Sequence, residues 1–191
     1  NWKYRDNYEP SELFAKKLLI IGFGRIGQNV ANLAKVFGMN ISIYDPYIST
    51  KSVSKEVRYW DSLEEAISEA DCISLNLPKV ESPVISQETA KHLKPGVVLI
   101  NTARGGLIDL NVLKKGIQSG LIAGAGLDVF DDEPPDQNMI LKGYKQVILT
   151  PHQAGLSRES ARRMSVKSVQ NILDFFDGKL DKKLIVNGVN P

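Results

Sequence analysis

With 191 residues, the chain has the length of about one domain and enough material for a real hydrophobic core. Hydrophobic residues make up 42% and charged residues 24%, and 24 basic side chains are interspersed with 22 acidic ones to a net charge of +2, a balance that points neither to nucleic acid nor to an acidic membrane surface. A single cysteine excludes an internal disulfide and suits a reducing cytoplasm, no apolar run reaches membrane-spanning length, and no signal peptide is visible at the N-terminus.

Residues 1–17, NWKYRDNYEPSELFAKK, are polar with scattered aromatics and read as a lead-in. Leu18-Leu19-Ile20-Ile21 then reads as a buried strand, and Gly22, Gly24 and Gly27 follow as G-x-G-x-x-G. Ile26, Val30, Leu33, Ala34 and Phe37 fall at helical spacing on one face, which predicts a helix with that face on the core and Gly38 closing it. Ile41 to Tyr44 reads as a second strand ending at Asp45, about 20 residues beyond the glycines. A lone G-x-G-x-x-G says little. Strand, glycines, amphipathic helix, strand and acid together are a specific dinucleotide-binding signal.

Each part has its own physics. Gly22 permits the tight turn out of the strand, Gly24 lets the backbone approach a pyrophosphate, and Gly27 lets the helix pack close to the sheet. The helix start near Arg25 and Ile26 offers N–H groups and a positive dipole end to the phosphates. Asp45 would accept hydrogen bonds from the adenosine ribose, and its charge would repel a 2′-phosphate, favouring NAD over NADP.

After a loop from Pro46 to Lys55 comes a short strand candidate, Val57 to Tyr59. Asp61 at the cap and Glu64 three residues on predict a helix to about Ala70. Cys72, in the strand DCISLNL stopped by Pro78, reads as a small buried hydrophobe. Ser86 is expected to cap a helix ending near HLKPG, ahead of the strand Val97 to Ile100. Asp109 caps a helix to about Ser119, with Gly120 at C′. IAGAGLDV reads as a strand whose glycines admit other backbone, KQVILTP as the last strand, and Ser157 to Asp177 as a long amphipathic helix. The alternation predicts an α/β fold, a doubly wound parallel sheet of the Rossmann type.

In such sheets ligands bind beyond the carboxyl ends of the strands. There lie Gly24 and Asp45, Leu77-Pro78, Asn101-Thr102-Ala103-Arg104, Asp128 and Thr150-Pro151-His152. Arg104 can bind a small carboxylate through two parallel hydrogen bonds, or simply be a solvated turn arginine. His152, held by Pro151, can serve as acid and base near neutral pH, whereas His92 at a helix end reads as structural. Glu133, in FDDEPP, could hydrogen-bond His152 and keep its proton available. Asp131 and Asp132 are rivals for that role, and a plain acidic loop is the bland alternative. Two separated histidines and one cysteine make no metal site, and no serine sits in a G-x-S-x-G elbow.

Taken together, GFGRIGQNVA, NTARGGLIDLNVL, AGLDVFDDEP and ILTPHQAG, in this order over roughly residues 17–175, resemble the NAD-dependent D-2-hydroxyacid dehydrogenases. The resemblance implies that Arg104 binds the substrate carboxylate, that His152 is the general acid/base, and that Glu133 supports it. It implies NAD contacts at Gly22, Gly24, Arg25, Ile26, Gly27, Asp45, Leu77, Pro78, Thr102, Ala103, Arg104, His152 and Gly155, with Asp128 at the nicotinamide carboxamide. The implied reaction is hydride transfer between C2 of a 2-hydroxy acid and C4 of the nicotinamide. It further implies a cytoplasmic protein with a small-molecule substrate, forming a homodimer or higher homo-oligomer.

The chain departs from the pattern at Lys79 and Val80, where the family usually has leucine and threonine, and at Asn76, often a histidine. The expected organisation is a lead-in over 1–17, a dinucleotide-binding domain over 18–178, and a tail over 179–191 towards a substrate domain that the chain lacks, so that the chain need not be active alone. The PHQAGLSRES turn and the GKLDKKLIVN tail most resemble the 3-phosphoglycerate dehydrogenase branch, which serves serine biosynthesis. A glyoxylate/hydroxypyruvate reductase comes next. An NAD-sensing corepressor with the same trio is the alternative of another class, which turnover would distinguish. The related formate dehydrogenases carry glutamine in place of Glu133.

Overall fold

Four branched aliphatics in succession have no polar face to offer water, so the strand they form must be covered on both sides. In the computed structural model that strand is β1 (Lys17–Ile21), with Leu18, Leu19, Ile20 and Ile21 all buried. Because side chains alternate along a strand, Leu19 and Ile21 enter one core cluster with Leu75, Leu99 and Leu113, while Leu18 and Ile20 enter a second with Ala31, Ala34, Ile41 and Ile43. The structure describes residues 11–49, 53–54, 56–136 and 141–185. Most of the lead-in, part of the loop between Pro46 and Lys55 and the end of the tail lie outside the described residues.

The chain continues through α1 (Arg25–Val36), β2 (Asn40–Tyr44), β3 (Arg58–Tyr59), α2 (Leu63–Glu69), β4 (Cys72–Leu75), β5 (Val97–Asn101), α3 (Leu110–Ser119), β6 (Ile122–Leu127), β7 (Val147–Leu149) and α4 (Arg158–Phe176). The seven strands form one sheet, parallel at every pairing, in the order β3-β2-β1-β4-β5-β6-β7. The order reverses between β1 and β4, which opens a crevice beyond their carboxyl ends. This is the doubly wound Rossmann-type sheet expected from the alternating pattern. Two compact units are distinguished: Asn1–His152, which contains the whole sheet, and Gln153–Pro191, which contains α4.

Four sequence expectations are corrected. The apolar stripe of α1 faces the core only in part: Ala34 is buried and Val30 packs half-buried against the core, but Ile26, Leu33 and Phe37 are exposed, and the other buried residues are Gly27 and Ala31. A Cβ on Gly27 would stand 2.2 Å from the Gly22 carbonyl oxygen, so the helix runs too close to the sheet for anything but its smallest side chains beneath it. The cap of α2 is Ser62 rather than Asp61; its Oγ accepts from the Glu65 N–H at 3.2 Å, which starts the helix one residue later. The segment after Ser86 forms only a 3₁₀ turn, Thr89–His92. Its chain is tied sideways, since Ile85 donates to Leu107 and its own carbonyl accepts from Asp109, and Pro95 disfavours helix at the residue before it. Cys72, the first residue of β4, is only partly buried.

The cap of α3 agrees with the pattern. Asp109 Oδ1 accepts from the N–H groups of Asn111 and Val112, and Gly120 closes the helix.

Candidate active site

Three of the helices begin on a side-chain cap, at Ser62, Asp109 and Ser157. Helix α1 does not: Gly24 supplies no side chain and the first turn holds no acid. Its opening N–H groups therefore have neither a preceding turn nor a cap to bond. A Cβ built on Gly24 would meet nothing within 4 Å, so the space above the loop is open to a ligand. An uncapped helix start under open space fits a pyrophosphate.

Asp45 follows β2 and is buried, 9% exposed. Its carboxylate accepts from the Phe23 N–H at 2.8 Å and from the Tyr47 N–H at 2.9 Å. The same acid thus locks the glycine loop in place and retains lone pairs for a ribose hydroxyl. Across the switch point, a Cβ on Gly22 would lie 2.5 Å from the Asn76 carbonyl oxygen and 3.1 Å from Leu77 Cβ. The segment leading to Pro78 therefore borders the glycine loop. These groups fit a dinucleotide.

The second half of the site is built on β5, β6 and β7. Asn101, at the end of β5, is 2% exposed, and its amide staples the following turn: Nδ2 donates to the Arg104 carbonyl at 2.8 Å and Oδ1 accepts from the Ala103 N–H at 3.0 Å. Thr102 and Arg104 are left exposed and Ala103 half-buried. Arg104 Nη1 donates to the Ala103 carbonyl at 2.6 Å, which leaves its other N–H groups for a ligand. Beyond β6, Asp128 is 2% exposed, and its Oδ1 accepts from the Thr150 hydroxyl at 2.6 Å.

His152 has a left-handed backbone, φ 50°, which few residue types other than glycine adopt, histidine among them. Its N–H donates to the Asp128 carbonyl at 2.8 Å and the Thr150 carbonyl at 3.1 Å, and these bonds hold the conformation. The ring Nδ1 stands 2.6 Å from Glu133 Oε2, while Glu133 Oε1 accepts from the Phe130 N–H at 3.0 Å. The bond to His152, reinforced by that to Phe130, holds the Glu133 carboxyl below the usual carboxylate range. Asp131 lies instead near Lys79, with Oδ1 4.0 Å from Nζ.

Arg104, Glu133 and His152 line one cavity of about 230 Å³, together with Lys79, Gly105, Val129, Phe130 and Asp131. A guanidinium for a carboxylate and an imidazole backed by a carboxylate therefore share one small volume. Gly155 is exposed and belongs to the second unit. The sequence places Asn101 and Thr150 among the strand-end candidates but gives neither a role. Asn101 acts through its own turn and Thr150 by reaching across to Asp128, and a polar residue at a strand end was the only available signal for either. Among the described residues no group of three or more His, Cys, Asp or Glu side chains could hold a metal, and no helix is long and apolar enough to cross a membrane.

Comparison with known proteins identifies the family. Residues 1–154 match the family model described as D-isomer specific 2-hydroxyacid dehydrogenase, NAD binding domain. The glyoxylate reductase of Aeropyrum pernix is 36% identical over 96% of this chain and 57% of its own length. The D-3-phosphoglycerate dehydrogenase of Bacillus subtilis is 36% identical over 91% of this chain and 33% of its own. Among solved structures, the D-lactate dehydrogenase of Aquifex aeolicus complexed with NAD and lactic acid superposes with a TM-score of 0.80 at 34% identity, covering 93% of this chain and 60% of that one. The chain thus spans between a third and three fifths of these relatives.

Proposed function

Because the chain belongs to the D-isomer specific 2-hydroxyacid dehydrogenase family, as its NAD binding domain, we propose that the whole protein is an oxidoreductase that exchanges hydride between NAD(H) and a D-2-hydroxy acid or its 2-keto form, in the manner of the 3-phosphoglycerate dehydrogenases. When bound, the nicotinamide supplies the hydride acceptor or donor. The chain's own groups do the rest. Arg104 holds the substrate carboxylate through its free N–H groups and polarises the neighbouring C2 oxygen. With Nδ1 engaged by Glu133, His152 presents Nε2 to that oxygen, taking the hydroxyl proton in oxidation and returning it in reduction. Glu133 stays ionised and stabilises the imidazolium that forms. Asp128 receives the nicotinamide carboxamide, and Asp45 the adenosine ribose. The glycine loop with Arg25 and Ile26, together with Leu77, Pro78, Thr102 and Ala103, completes the cofactor contacts of this unit.

The observation that carries this proposal is the 2.6 Å contact between His152 and Glu133 in the cavity that Arg104 lines. Residues 18–178 serve as the dinucleotide-binding domain, and 179–191 lead towards a substrate domain. On this reading the protein works in the cytoplasm, in serine biosynthesis, as a homodimer or higher homo-oligomer. A glyoxylate or hydroxypyruvate reductase is the second reading, favoured by the names of relatives such as that of A. pernix.

The test is a panel of D- and L-2-hydroxy acids and 2-keto acids, each with NAD(H) and NADP(H), on the whole protein. Turnover of D-isomers with NAD(H) is expected, fastest with 3-phospho-D-glycerate, and His152→Ala lowers kcat by about 10²–10⁴-fold while NADH still binds. NADH binding without turnover of any acid would favour the corepressor-like alternative.

A further inference from the structure

We infer that Lys79 is a specificity-determining residue, selecting 2-hydroxy acids that carry a second anionic group beyond C2, a phosphate ester or a second carboxylate. The inference rests on the dehydrogenase reading above. The charges around the cavity lead to it. Arg104 answers one carboxylate, and the charge of Glu133 is committed to His152 at 2.6 Å. Lys79 then brings a second cation to the same wall. A monoanionic substrate gives it nothing to meet.

Its partner in the structure is Asp131, but at 4.0 Å, with the two side chains 68% and 55% exposed. A long pair between exposed groups is worth little, and it is the kind that a ligand anion within hydrogen-bonding distance displaces. Asp131 itself lies close over Gly106, where a Cβ would stand 2.7 Å from its Oδ1. At 4.0 Å the acid lies beside Lys79 without consuming its donors, of which an ammonium has three. The rival assignment is a contact with the cofactor's pyrophosphate, because Lys79 directly follows the Leu77-Pro78 segment that borders the glycine loop.

The experiment compares the unmodified protein with Lys79→Met and Lys79→Arg, using 3-phospho-D-glycerate, D-malate and D-glycerate as substrates and NADH fluorescence for cofactor binding. Lys79→Met is expected to lower the ratio of kcat/KM for 3-phospho-D-glycerate over D-glycerate by about 20-fold, the scale of one charge-assisted hydrogen bond, and Lys79→Arg to recover most of it. NADH affinity is expected to move less than about twofold, well below the loss of one such bond. An equal loss on D-malate identifies any second anion as the recognised group, and a loss confined to the phosphorylated acid identifies a phosphate ester. An unchanged ratio overturns the assignment. So does weaker NADH binding in Lys79→Met, which would place the lysine on the cofactor. If the unmodified protein oxidises none of the three acids but turns over another acid of the panel, the role of Lys79 falls and the dehydrogenase reading stands; no turnover of any acid overturns both. Turnover of D-glycerate with an unmoved ratio removes only the role of Lys79.

Discussion

The Glu133 carboxylate bonds both to the His152 ring and to the Phe130 N–H, with the ring bond the stronger influence on its acidity. A carboxyl whose folded-state pKa lies below its unfolded value stabilises the fold fully above the unfolded value, and that contribution is lost as pH falls through the lowered one. Following the Glu133 side-chain carbon by NMR should give a midpoint below the usual carboxylate range. His152→Ala should carry it upwards, and an unmoved midpoint would mean that the contact does not set the acidity. Asp45 makes a different case. Alanine there strips the Phe23 and Tyr47 N–H groups of their partner in a part-buried place, which should cost about 1–3 kcal/mol in denaturant unfolding and loosen NADH binding as well. Full stability with weakened binding would make Asp45 a ligand contact only.

Among the elements, the two active-site loops depend on one close approach. A Cβ on Gly105 would stand 2.0 Å from the Phe130 carbonyl oxygen, so the turn bearing Arg104 and the loop bearing Glu133 press backbone to backbone. Gly105→Ala must push them apart. It should cost about 1–3 kcal/mol of stability, as overpacking does, and lower kcat/KM more than tenfold while NADH affinity changes little. Unchanged kinetics would show that the two loops are positioned independently. Helix α1 carries the same lesson at Gly27. Its hydrophobic periodicity correctly signalled a helix and placed Val30 and Ala34 against the core, yet Ile26, Leu33 and Phe37 lie outward because closeness to the sheet selected Gly27, Ala31 and Ala34 as the buried face. Periodicity registers size and polarity, and it is blind to a spacing that only small residues satisfy.

For the molecule as a whole, the parallel sheet brings every strand's carboxyl end to one edge, and the order reverses between β1 and β4. A cofactor bound along that edge touches loops from both halves, and its binding should stabilise the fold by mass action. At about 100 times Kd, NADH is expected to contribute roughly 2.7 kcal/mol, a rise in Tm of about 5–10 °C in a thermal melt. NADPH should give markedly less because of the buried Asp45 charge. Equal shifts would reject that discrimination.

By itself, the sequence determined the strand–helix alternation, the glycine loop, the acid after β2, the Asp109 cap and the strand ends where Arg104 and His152 stand. These are local: each is written in a few neighbouring residues whose backbone chemistry leaves little choice. Only the tertiary structure decided that Glu133 rather than Asp131 or Asp132 meets His152, that Ser62 begins α2, that α1 leaves Ile26, Leu33 and Phe37 exposed, and that Lys79 shares a cavity with Arg104. Those outcomes depend on distances between segments far apart in the chain, which burial and backbone contact set and which no local pattern carries.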